Sequence, residues 1–101
     1  MGRESQRQRL ARCRREVEEH PAKASAHYNL GLAYSVSGRV KEAEQAYLEA
    51  LRLSPGMLEA WVNLGGIRLL RWDFQGCLEA NQKAAELDES SVIAHYNMGQ
   101  A

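Results

Sequence analysis

The chain has 101 residues, enough for one small domain. Hydrophobic residues make up 45% and charged residues 26%, the balance of a globular rather than a disordered protein. Lys and Arg number 13 and Asp and Glu 13, so the formal charge is zero and the molecule as a whole has no electrostatic pull toward nucleic acid or an anionic membrane.

The first predicted helix runs from about Arg3 to Glu19. Its apolar stripe is thin, with Leu10, Cys13 and Val17 at helical spacing. Arginines crowd its start and glutamates its end, and Arg12–Glu16, Arg14–Glu18 and Arg15–Glu19 are spaced for i, i+4 pairs in the weaker orientation. His20-Pro21 ends it, because a residue before proline avoids the helical region. A basic helix can bind nucleic acid or an acidic partner. No aromatic platform accompanies these arginines, so a solvated outer face of a cap is the reading preferred. The start lacks the apolar core of a secretory signal, and Gln6 fills the Ser/Thr position that a myristoylation motif needs. No apolar run nears the roughly 20 residues that span a bilayer, and the two cysteines, read as unpaired, fit a cytoplasmic setting.

A second helix is predicted from about Ala24 to Ser37, with His27, Leu30, Gly31 and Tyr34 on one buried stripe. Ser37-Gly38 supplies a turn in which Gly38 takes a positive φ without strain. A third helix follows from Val40 to Leu53, packing through Ala43, Ala46, Tyr47, Ala50 and Leu51. Ser54-Pro55-Gly56 breaks the chain. A further helix pair spans about Met57 to Asp88, its turn carrying Trp72 where Gly38 stood and its second helix capped by Asp73. Trp72 is either an exposed contact residue or part of a repacked loop. Ser90-Ser91 is expected to cap a last helix, Val92 to Ala101.

These elements repeat. Ala26-His27-Tyr28-Asn29-Leu30-Gly31 returns as Ala60-Trp61-Val62-Asn63-Leu64-Gly65 and as Ala94-His95-Tyr96-Asn97-Met98-Gly99, at a fixed offset of 34 residues. With Leu30, Gly31, Tyr34, Ala43, Tyr47, Ala50 and Pro55 in the signature positions, the chain resembles the tetratricopeptide repeat (TPR) family. The resemblance implies an all-α fold, an α-solenoid of antiparallel helix pairs. Residues 1–23 would form the N-terminal capping helix and linker, 24–57 the first repeat, 58–91 the second, and 92–101 the first helix of a truncated third. Such an end reads as a fragment of a longer array, and it leaves self-association across the open C-terminal end plausible. In the second repeat Arg68 and Asn81 replace two residues that touch in the family, so these two are expected to lie close together or share an acceptor, since a lone buried Arg is costly.

No catalytic constellation is evident. His27 and His95 stand where the family packs a Trp and lack a second ligand at i+3 or i+4, so a structural role is expected and no metal. The serines lack a nucleophile-elbow setting, no phosphate-binding glycine loop follows a strand, and no cofactor is implied. Cys13 and Cys77 lie in no ligand spacing, and Cys77, where the repeat wants Ala, reads as a buried reduced thiol.

The resemblance implies a concave groove lined by the first helices of each pair. Tyr28, Asn29, Leu32 and Val36 would line it in the first repeat, Val62, Asn63, Leu69 and Leu70 in the second, and Ile93, Tyr96 and Asn97 in the third. The equivalent Asn29, Asn63 and Asn97 would form a ladder like that in the repeat domain of protein O-GlcNAc transferases. Carboxamides can hold an extended peptide by its own N–H and C=O groups. Alternatively, they tie neighbouring repeats together. The groups that grip chaperone C-terminal tails in one subclass are missing, because Tyr28, Ile93 and Asn97 hold those positions and only Asn63 matches. The expected function is a non-enzymatic module that binds an extended or helical protein or peptide segment. The alternatives are a substrate-selecting segment of a larger enzyme, such as a glycosyltransferase, and a self-assembling scaffold.

Overall fold

The computed structural model describes the backbone of residues 3–100 and the side chains of residues 3–89. Among the described residues there are five helices: α1 (Gln6–Glu19), α2 (Ala24–Val36), α3 (Val40–Leu53), α4 (Leu58–Leu70) and α5 (Phe74–Gln100). Each packs on its neighbour in chain order, giving an extended body of 50 × 32 × 28 Å.

Helix α1 begins three residues later than Arg3. The Ser5 hydroxyl accepts from the Gln8 N–H at 3.1 Å, and the Gln8 side chain accepts from the Ser5 N–H at 2.8 Å. This reciprocal capping box fixes the start. The i, i+4 pairs do not form. Arg12 reaches back to Glu4 at 2.8 and 2.9 Å, Glu16 takes Lys23 at 3.1 Å, and Arg14 donates to the Tyr34 hydroxyl at 3.2 Å. Arginine placed before glutamate is the weaker arrangement on a helix, so better-placed partners win. Arg14 and Arg39 also lie over the Tyr34 ring, 5.5 and 5.2 Å from its centroid.

The first pair, α2 and α3, closes around Gly31 and Tyr47. A Cβ on Gly31 would sit 2.6 Å from the Tyr47 ring, so only glycine admits that ring. Tyr47 is among the largest fully buried side chains and joins Ala43, Leu51, Ala60, Leu64, Ile67 and Ala80 in the core. Burial pushes its phenol up to about 12, with a smaller contribution from Tyr28.

Two latches repeat with the helices. His27 Nε2 donates to the Pro21 carbonyl at 2.8 Å, and Trp61 Nε1 donates to the Pro55 carbonyl at 2.8 Å. His27 is thus a buried structural residue, as expected. The third unit has Glu89 in place of the proline. Here the expectation of a break before Val92 fails: α5 continues without interruption to Gln100. Ser90 and Ser91 extend the helix because no proline removes a donor or blocks the preceding residue.

Candidate functional site: the faces of the first helices

Helices α2 and α4 are equivalent, and the expected groove residues fall on them in three groups. Tyr28 and Leu32 are half-buried and pack against the core. The Tyr28 ring lies 5.8 Å from that of Tyr47, and its hydroxyl accepts a 2.8 Å bond from the Asn63 side-chain amide. Asn63 therefore ties the second repeat to the first, the alternative that its position left open. Asn29, Val36, Leu69 and Leu70 are exposed. Val62 is also exposed, but it borders a cleft of about 340 Å³ with Leu58, Ala84, Ala85 and Asp88, at the open edge of the second pair. The side chains of Ile93, Tyr96, Asn97 and His95 lie outside the described residues.

Arg68 and Asn81 do not share a partner. Arg68 donates to Glu44 of α3 at 3.1 Å and to the Gly76 carbonyl at 3.2 Å. Arg71 donates to the other oxygen of the same carboxylate. Asn81 instead donates weakly to Cys77 Sγ at 3.6 Å, and its Oδ1 fills the space above Gly65. Glu44 is one of the few buried charged residues, and two guanidinium groups compensate it. The signal was a carboxylate one repeat upstream, on a helix whose other buried residues are Ala43, Ala46, Tyr47, Ala50 and Leu51. Cys77 is half-buried rather than buried, and both cysteines are free thiols.

The turn between α4 and α5 holds the main feature that periodicity did not resolve. Trp72 adopts φ 62°, the left-handed region that the equivalent Gly38 occupies at φ 76°. That conformation costs a bulky residue about 1–2 kcal/mol. Trp72 is nonetheless 79% exposed, its ring edge-on to Phe74 at 6.0 Å. Phe74 and Leu78, one turn apart on α5, are 60% and 55% exposed. Asp73 caps α5 through its side chain, which accepts from the Gly76 N–H at 2.9 Å.

Among the described residues, no group of three or more His, Cys, Asp and Glu could hold a metal, and no helix is long and apolar enough to cross a membrane.

Comparison with known proteins agrees with this architecture. Residues 24–57 match the model of the tetratricopeptide repeat family. The probable biofilm formation methyltransferase WspC of Pseudomonas aeruginosa is 34% identical over 79 residues, covering 78% of this chain and 19% of that protein. The lipoprotein NlpI homolog of Haemophilus influenzae is 34% identical over 77 residues, covering 76% of this chain and 24% of that protein. The chain thus spans a quarter or less of the length of these curated relatives. A crystal structure of MamA superimposes with a TM-score of 0.82 at 23% identity, over 86% of this chain and 51% of that one. MamA from Desulfovibrio magneticus RS-1 gives a TM-score of 0.78 at 30% identity, over 80% and 46%.

Proposed function

We propose, from the premise that this chain carries a tetratricopeptide repeat over residues 24–57, that it is a non-enzymatic protein-interaction module. Its concave face, formed by α2 and α4, holds an extended or helical segment of a partner. The observation that carries this reading is the exposure of Val36, Leu69 and Leu70 on helices whose opposite stripes are already buried in the core. A helix apolar on two sides is one whose second side receives a cover. Asn29, exposed beside them, supplies a donor and an acceptor for a peptide backbone. Asn63 has its amide engaged by Tyr28 and contributes its remaining acceptor. Ile93, Tyr96 and Asn97 lie on the unbroken α5, so the proposed surface rests on α2 and α4.

Selection of a displayed peptide library on the wild type and on a Val36→Asp, Leu70→Asp double variant tests this. Peptides enriched on the wild type and lost on the variant, at unchanged helicity, support the reading. No enrichment, or equal retention by both, overturns it.

A second reading makes the chain a substrate-selecting segment of a larger enzyme. It is favoured by the likeness to a relative whose name is that of a methyltransferase and of which this chain spans 19%. The glycosyltransferase form of that reading rests on the asparagines alone.

A further inference from the structure

We propose that the open edge of the second helix pair is a self-association surface, and that its occupant is a second copy of this chain presenting the same edge. The internal template is the first repeat. There, the equivalent edge of α2 and α3 is covered by α4, through Tyr47 and Leu51 against Ala60 and Leu64. In the second pair, residues after Leu87 do not fold back in this way, since α5 runs on as one helix. The edge is left with Val62, Phe74, Leu78, Asn81 and Ala85 uncovered, and with Trp72 standing at its corner.

Three features choose a second copy over another repeat-like helix. First, Leu78 stands where Glu44 stands in the first repeat. The carboxylate that receives Arg68 and Arg71 from the covering helix has become apolar, so a helix of α4 type would bring two guanidinium groups onto Leu78 unpaired. Second, Val62, Phe74, Leu78, Asn81 and Ala85 carry no charge and Asp88 stands only at the end of the strip, so two copies set antiparallel keep their carboxylates apart, as a two-fold contact between identical patches requires. Third, Asn81 sits in the middle of the strip. Its amide has both donor and acceptor, which lets it pair with its own symmetry mate. Trp72 extends the apolar contact at the corner, which accounts for an exposed aromatic ring held in a conformation suited to glycine.

Sedimentation equilibrium over a concentration series tests this on the wild type, Leu78→Glu and Trp72→Gly. The wild type is expected to dimerise reversibly. Leu78→Glu should weaken the dimer at least tenfold at unchanged helicity. Trp72→Gly should weaken it while melting at a higher temperature, an opposition that a merely misfolded variant does not produce. A wild type that stays monomeric throughout the series overturns the proposal, as does a dimer insensitive to both substitutions. Leu78→Glu should still bind the peptides selected on the concave face, so failure here is distinguishable from failure of the groove reading.

Discussion

The Asn63 side-chain amide bonds the Tyr28 hydroxyl at 2.8 Å across the junction between repeats. A hydrogen bond of this part-buried kind contributes about 1 kcal/mol net. Tyr28→Phe and Asn63→Ala should each lower stability by about that much, and the double variant should cost less than their sum. Urea denaturation of the four proteins measures the coupling. Full additivity would place the two residues in independent roles.

Gly31 and Gly66 should respond in opposite directions to alanine. The methyl group on Gly31 would meet the Tyr47 ring at 2.6 Å, whereas nothing lies within 4 Å of one on Gly66. Gly31→Ala is expected to cost about 1–3 kcal/mol through overpacking. Gly66→Ala should gain up to about 1 kcal/mol from helix propensity. Thermal melts resolve both, at about 4–8 °C per kcal/mol in a domain of this size.

Trp72→Gly should raise stability by about 0.5–1 kcal/mol. Relief of the left-handed strain exceeds the extra entropy that glycine gives the unfolded chain. Differential scanning calorimetry reads the sign, and a drop in melting temperature would mean that the ring is holding the turn together.

Glu44→Gln should destabilise the protein by about 3 kcal/mol, because it leaves two partly buried guanidinium groups without their counter-charge. Replacing Glu44, Arg68 and Arg71 together with apolar residues should recover most of that loss. Chemical denaturation of both variants gives the comparison.

Alkaline pH should weaken the fold through Tyr47. Its phenol is raised in the folded state to about 12, so the folded protein holds a proton that the unfolded chain releases near 10. The contribution is complete below pH about 10 and is lost as pH rises toward about 12. A Tyr47→Phe variant should show a shallower decline over that window in denaturation followed as a function of pH.

The periodicity of the chain made α2 and α3 legible nearly to the residue, because Gly38, Pro55 and the alanine stripes each impose a local geometry that little else satisfies. Val40–Leu53 is the same helix in sequence and structure. The end of α5 was not legible from the repeat alone. A recurring first-helix pattern marks a face but does not make a corner, and Glu89 lacks what Pro21 and Pro55 do. The partner of Arg68 was missed for a different reason. Reasoning within one pair led to Asn81, whereas the neutralising carboxylate, Glu44, belongs to the preceding pair. Tyr28 was expected to line the groove, whereas its ring is half-buried against the core and its hydroxyl serves the junction between repeats.

The bonds from His27 to Pro21 and from Trp61 to Pro55 have a consequence for shape. Each fastens a first helix to the bend that precedes it, and so fixes the angle at which one unit hands the chain to the next. An array joined this way acquires its curvature joint by joint, like masonry in an arch. Where Glu89 replaces the proline, that angle is no longer dictated by the chain itself, and the pitch of anything built further along must be set by whatever the helix meets.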